Sequence, residues 1–256
     1  MSETATVPTP PTRRERLRQE LTRQIKDTAL AQLAQGGPGA VGLRAIAREI
    51  GVSPTALYGY FASLDDLFTA LIADGFHDLA DTVGAAADRR KDDPVQDRML
   101  AMLFAYRQWA LEHDAWFRLL YFSPVPGYVA PEDGPTLDAT LRVSATFLFT
   151  MTEAWAQGVL PQPEPGFPLD CSKFHDIFGL PITPDQMRVA VGCWGEFHGM
   201  VSLEVNGHIH DDWVETDDLF AVTMRSMMHT AGFPEPSPEV TPAAVRAEIR
   251  AARTAD

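Results

Sequence analysis

The sequence predicts an all-α protein, with a three-helix N-terminal head that carries a helix-turn-helix and a larger helical body behind it. Three observations carry this prediction. Apolar residues recur at helical spacing through most of the chain, and no segment alternates with the two-residue period of a strand. Residues 43–61 read as two short helices joined by a glycine-containing turn.

Taken in order, residues 1–12 hold three prolines and no periodicity, and predict a disordered arm. Helical spacing starts near Arg13, where Leu17, Leu21, Ile25, Ala29 and Leu33 recur every four residues, and Gly36-Gly37-Pro38-Gly39 ends that helix. A short helix from Leu43 to Ile50 sets Leu43, Ile46, Ala47 and Ile50 on one side. Gly51 breaks it where a left-handed backbone is needed. Ser53 then caps a second short helix with Pro54 at its first position, and Leu57 and Phe61 face its predecessor.

The run Ser63-Leu64-Asp65-Asp66 is a capping box with Asp in place of Glu, opening a connecting helix over 63–90. Pro94 marks the next break, and further helices are expected near 95–111, 114–122, 136–158, 184–209 and 215–232. Two connections rich in proline and glycine, 123–135 and 160–183, are long enough to be functional covers or disordered. Beyond Phe233 comes a proline-rich tail with room for one short helix at about 243–253. The expected division is therefore arm 1–12, head 13–62, body 63–233 and tail 234–256.

Hydrophobic residues make up 45% of the 256, enough for a full core. No run of 18 apolar residues exists, so no membrane span is expected. The basic cluster after Thr12 follows a polar Pro/Thr stretch with no apolar core behind it, the wrong order for a secretory signal, and a cytoplasmic location is expected. There Cys171 and Cys193 should be free thiols. The net charge of −14 is unevenly spread: residues 1–61 carry eight basic and five acidic groups, +3, which leaves −17 on the rest. That asymmetry suits a polyanion-binding head on an acidic body.

The informative stretch is Leu43–Phe61, LRAIAREIGVSPTALYGYF. Ala47 is small where the helices cross, Gly51 makes the turn, Val52 is the apolar residue after it, and Leu57 anchors the second helix. A second helix so held offers Ser53, Thr55, Ala56, Tyr58, Gly59 and Tyr60 to a major groove. The pattern IAREIGVSPTALYGYF followed by SLDDLF closely resembles the TetR/AcrR family of bacterial regulators, and the resemblance extends over residues 13–80. It implies a homodimer on double-stranded operator DNA, each recognition helix reading half of a near-palindrome. It also implies Tyr58 and Tyr60 against the DNA backbone, with Thr55 and Ala56 facing base edges where a methyl meets thymine.

Two positions depart from the family pattern. Gly42 stands where the family usually has a Ser or Thr cap, and Leu64 where a phosphate-contacting Lys is usual. The arm residues Arg13, Arg14, Arg16 and Arg18 are the candidates to compensate, by reaching neighbouring phosphates or the minor groove, and Arg44 on the first helix of the motif is a further DNA-binding candidate. The recognition helix holds no Arg, Lys, Asn or Gln, so methyls, hydroxyls and DNA shape should carry the readout. The same two features leave a second reading open: a small-molecule-binding sensory protein whose helix-turn-helix has lost its DNA function.

In the second half, Trp194–Gly207, WGEFHGMVSLEVNG, resembles the Trp-x-x-x-His-Gly segment of one C-terminal class of these regulators. That resemblance implies a four-helix bundle between the last two long helices and their symmetry mates. Gly192, Gly195 and Gly199 thin one side of the first helix for close approach, and Leu219, Val222, Met227 and Met228 are expected on the partner face of the second.

Trp109, Trp116, Phe117, Tyr121, Phe122, Phe147, Phe149 and Trp155 fall on successive helices, either as ordinary core or, together, as the wall of a mostly apolar pocket for a small apolar effector. His113, Arg118, Glu153, His175 and His198 are candidate polar handles. His208, His210, Asp211 and Asp212 suggest a metal, but they follow a helix end, where histidines meet carbonyls and solvent; no metal and no cofactor are expected. With no Gly-x-Ser-x-Gly, no HExxH and no phosphate-cradling loop, the chain is not expected to be an enzyme. The expected function is a ligand-responsive repressor, released from its operator by a small apolar molecule.

Overall fold

The computed structural model describes residues 12–122, 125, 127–131, 134–166 and 168–254; the arm expected over the first eleven residues lies outside them. Among the described residues there is no strand. The head holds α1 (Arg13–Gly36), α2 (Leu43–Glu49) and α3 (Pro54–Tyr58), and α4 (Leu64–Arg89) leads into the body. There follow α5 (Val95–Glu112), α6 (Asp114–Tyr121), α7 (Pro135–Ala156), α8 (Ser172–Phe178), α9 (Pro184–Val205), α10 (Thr216–Ala231) and α11 (Pro242–Arg253).

Local chemistry sets the boundaries in the head. Thr12 and Glu15 cap α1 reciprocally, and the Gly/Pro cluster after it winds into a short 3₁₀ turn at Pro38–Ala40. Gly51 turns at φ +74°, where an L side chain would be strained. The Ser53 hydroxyl accepts from the Ala56 N–H at 3.1 Å. Ser63 and Asp66 close a full capping box at 3.0 and 3.1 Å. Gly42 begins α2 with no side-chain cap. Contrary to the expected stripe, Leu17 is 60% exposed, because the head's core begins further along α1 and the first turns project beyond it.

That core is Ile25, Ala29, Ile46, Ala47 and Leu57 sealed by Leu67, Phe68 and Leu71 of α4, and it includes Leu119 from α6. Val125 and Tyr128, from the connection after α6, pack on it as well, with the Tyr128 hydroxyl 2.9 Å from that of Thr69. Leu57 is fully buried at its centre. Leu57→Ala is expected to cost about 2–5 kcal/mol through the cavity left behind. The melting temperature should fall accordingly; an unchanged melting curve would contradict this packing.

In the body, α5 is apolar almost all round and buried from Val95 to Ala110 save a few positions, as a central helix must be. Around it pack α4, α7, α9, α10 and α11. The 160–183 connection is not wholly irregular, because Ser172–Phe178 forms the short helix α8. Nor does the C-terminal segment hang free. Val245 and Ile249 of α11 are buried against the body, and Glu248 takes a two-pronged contact from Arg90 at 2.5 and 2.7 Å. Arg253 meets Glu112 at 2.7 Å, and Arg246 reaches Asp217 at 2.8 Å.

A buried cation ties these helices together. The Arg107 side chain is 3% exposed. It donates to both Glu204 oxygens at 2.6 and 2.5 Å and to Asp217 at 2.7 Å, so α5 holds the end of α9 and the start of α10 at once.

Candidate nucleic-acid interface and apolar cavity

The recognition helix α3 is short, and its outer face is open. Ser53, Thr55, Ala56 and Gly59 are exposed and Tyr58 is 46% exposed, while Leu57 alone turns inward. Gly59 caps the helix and Tyr60 lies beyond it, so these two belong to the turn that follows. The Arg18 guanidinium sits 5.0 Å over the Tyr60 ring and donates to the Gly59 carbonyl at 3.4 Å. With Arg13 and Arg14 they line a shallow basic cleft beside α3. The arginines at 13, 14, 16 and 18 are thus held on the first turns of α1, not on a loose arm, and all four are exposed. Arg44 is exposed on α2. Leu64 packs against the head's core, which accounts for an apolar residue there.

The body holds a partly open cavity of about 420 Å³ between α5, α6, α7, α9 and α10, with Phe174 and Phe178 of α8 in its wall. Its wall is hydrocarbon and aromatic: Met99 and Leu103 of α5, Val143 and Met151 of α7, Met187 and Phe197 of α9. Tyr106, Tyr121, Thr140, Ser144, Cys193 and Trp194 bring the polar atoms; no Asp, Glu, Lys, Arg or His lines it among the described residues.

The expected pocket residues divide. Tyr121 and Phe147 line the cavity. His198 lies one layer behind, its Nδ1 2.8 Å from the Tyr106 hydroxyl and its ring stacked on Trp194 at 5.0 Å. Trp109, Trp116, Phe117 and Trp155 do not reach it. Trp109 is fully buried between α4 and α6, its indole N–H donating to Asp78 at 2.5 Å. Trp116 turns toward the cleft between α1 and α4. Phe117 is buried against Tyr106 and Tyr121, and Trp155 is core. Of the other handles, Arg118 donates to the Val205 carbonyl at 2.7 Å, Glu153 pairs with Arg98, and His175 bonds the Ile182 carbonyl at 2.7 Å.

Burial sets the ionisation of these groups. It pushes the Tyr121 phenol up to about 12, and it holds the His198 imidazole down to about 4. The Cys193 thiol is lifted to about 11 by burial and the nearby Glu196 charge. All three are neutral at neutral pH.

On the outer face of α9, a Cβ added at Gly192, Gly195 or Gly199 would meet nothing within 4 Å. Val191, Trp194 and Leu203 are exposed beside them, as is Val222 on α10, and Leu219 is half-buried. Met227 departs from the expected partner face: it is 5% exposed and lines the cavity, as does Met228. The α10 stripe that includes them packs inward, where the cavity needs apolar cover.

Helix α6 joins the two sites. Tyr121 lines the cavity and Phe117 stands behind it, while Leu119 is inserted in the head's core with Ala115 and Trp116 packed against that core.

A basic helix-turn-helix head sharing its core with an acidic, all-helical body is the build of a DNA-binding transcriptional regulator, not of an enzyme. Residues 25–71 match the model of bacterial regulatory proteins of the tetR family, and residues 99–227 match that of the tetracyclin repressor-like C-terminal domain. The chain belongs to the tetR family. The HTH-type transcriptional regulators Rv1816 of Mycobacterium tuberculosis and Mb1846 of Mycobacterium bovis are each 37% identical to it over 205 residues, covering 76% of this chain and 85% of theirs. The crystal structure of SCO4313 shares its fold at a TM-score of 0.70 and 30% identity, over 85% of this chain and all of that one. A tetR-family regulatory protein from Rhodococcus RHA1 shares the fold at a TM-score of 0.61 and 16% identity, over 83% of this chain and 97% of its own. No described helix is long and apolar enough to cross a membrane.

Proposed function

We propose that this regulator is a cytoplasmic, homodimeric repressor that leaves a near-palindromic operator when a small apolar effector enters the cavity. The observation that carries this reading is helix α6, whose Tyr121 faces the cavity while its Leu119 sits in the head's core. A ligand that displaces Tyr121 moves an element the head is built on, and only such a differential contact can shift the head between two orientations.

In this reading Thr55 and Ala56 meet base edges, Ser53 and Gly59 pass close to the groove wall, and Tyr58 and Tyr60 with Arg13, Arg14, Arg16 and Arg44 hold phosphates. The partner is a second copy, docked through α9 at Gly195 and Gly199 and through α10 at Leu219 and Val222. The thin glycine face and the exposed apolar side chains beside it support that docking.

Selecting bound duplexes from a random pool tests the first half: a recovered inverted repeat, bound with strong salt dependence, is expected. Screening compounds for release of that repeat tests the second. Recovery of no sequence preference would defeat the repressor reading and favour a sensory protein without DNA function.

A further inference from the structure

We infer that the cavity takes an uncharged ligand, hydrocarbon over most of its surface, with one hydroxyl or carbonyl oxygen docked on the hydroxyls of Tyr121 and of Tyr106, the latter held by His198. This rests on the reading of the cavity as the effector site, and it adds the chemical class and the polar anchor.

Charge is excluded by what surrounds the space. About 420 Å³ is the room of roughly fourteen waters, and no ionised side chain lines it among the described residues. Several charged side chains of the surrounding helices are engaged elsewhere: Arg118 on a carbonyl, Arg98 with Glu153, Arg107 with Glu204 and Asp217. A carboxylate or ammonium carried fully inside would lose its water and gain no counter-ion, a cost that a neutral polar group does not incur. His198 cannot supply a positive charge at neutral pH, since burial keeps its ring unprotonated.

A single neutral polar atom is provided for. Thr140 and Ser144 already donate to carbonyls one turn back on α7, at 2.8 and 3.4 Å. The Tyr106 hydroxyl is held by His198 at 2.8 Å, and Tyr121 lines the cavity together with Tyr106. Imidazole has two neutral tautomers, so this contact can run either way. With Nδ1 bare, Tyr106 donates to it and keeps its lone pairs for a ligand hydroxyl. With Nδ1 protonated, Tyr106 accepts, and its own O–H is left for a ligand carbonyl. The Tyr121 hydroxyl can donate or accept in either case. Both arrangements are neutral, so the anchor accepts an alcohol, ketone or ester alike. The rest of the ligand then lies along the methionines and Phe174 and Phe178 of the α8 cover, whose flexible and aromatic surfaces adapt to hydrocarbon.

The test uses the full chain, the neutral dye Nile red as the displaced reporter, and five probes of one chain length: decane, decanol, methyl decanoate, decanoate and decylamine. Decanol and methyl decanoate should displace the dye best. Decanoate at neutral pH should be on the order of 100-fold weaker than its methyl ester or worse, tightening about tenfold per pH unit on acidification as the uncharged acid forms. Decylamine should be excluded similarly, with the opposite pH trend. Tyr121→Phe should remove about 2- to 10-fold of decanol's advantage over decane and leave decane unchanged. Decanoate binding as tightly as the ester at neutral pH would overturn the proposal while leaving the effector site in place. So would a Tyr121→Phe variant that keeps decanol's full advantage. Failure of the dye and all five probes to bind would remove the effector site itself, and the proposal with it.

Discussion

Ala56→Glu is expected to abolish operator binding, by more than about 100-fold, without unfolding the protein. Ala56 is exposed in the first turn of α3, and its N–H is already capped by Ser53. A carboxylate is welcome there in the free protein, because a helix N-terminus favours negative charge and surface changes of this kind shift stability by about 0.5 kcal/mol or less. On DNA the same carboxylate would stand between phosphate rows, where a like-charge encounter costs several kcal/mol. Fluorescence anisotropy on the selected operator, beside a melting curve, separates the two effects. Ala56→Ser serves as the mild control, since it adds one small uncharged hydroxyl at the same place. Should the glutamate variant bind within a few-fold of the parent, α3 does not enter the groove.

The second large effect is expected inside the body. Arg107→Met would strand Glu204, whose side chain is 11% exposed, and deprive Asp217 of one of its two guanidinium partners. Removing one member of a buried ion cluster costs about 3–5 kcal/mol. For a chain of this length that corresponds to a fall of roughly 6–20 °C in melting temperature. The pH dependence should weaken as well. Burial alone would lift the Asp217 carboxyl, but Arg107 and Arg246 outweigh it and hold the group below its ordinary range. Its contribution is therefore full above the unfolded carboxylate range and is lost as pH falls through the depressed folded value. In the variant Asp217 keeps only Arg246, so acid should remove less stability than it does from the parent. Adding Glu204→Gln should recover part of the loss at neutral pH. A variant that melts like the parent, with the same acid limb, would mean the cluster carries little of the fold.

These two residues mark how differently the sequence exposes its head and its body. The head was legible because its determinants are local. A serine cap, a proline at the first helical position, a glycine forced to positive φ and an Asp-closed capping box each act within four residues, and all are present in the structure. Helix positions in the body were legible too, from apolar spacing and proline breaks. What spacing could not reveal is which neighbour each apolar face meets. Trp109 and Tyr121 both lie on aromatic-bearing helices, yet the first is spent between helices and the second lines the cavity.

The same limit explains Met227. Its position on α10 suits a partner-facing stripe, and only packing turns it inward. Helix α8 escaped because seven residues hold too few periods to recognise. The docking of α11 escaped because its ion partners, Arg90 and Glu112, lie far away in sequence. A cue was present in the nine methionines of the chain, five of which line the cavity: Met99, Met151, Met187, Met227 and Met228.

The core of the head has a consequence for anyone building hybrid regulators. Operator and effector specificities are commonly imagined as separable cassettes, with a splice just past the recognition helix. Here a cassette cut after residue 62 would leave behind Leu67, Phe68, Leu71 and Leu119, and with them the cover given by Tyr128. The donor head would arrive with Leu57 and Ile46 exposed to whatever the acceptor happens to offer. A workable exchange would have to carry the inward faces of α4 and α6 along with the reading helix, or redesign that seam, because in this protein the interchangeable unit is discontinuous in sequence.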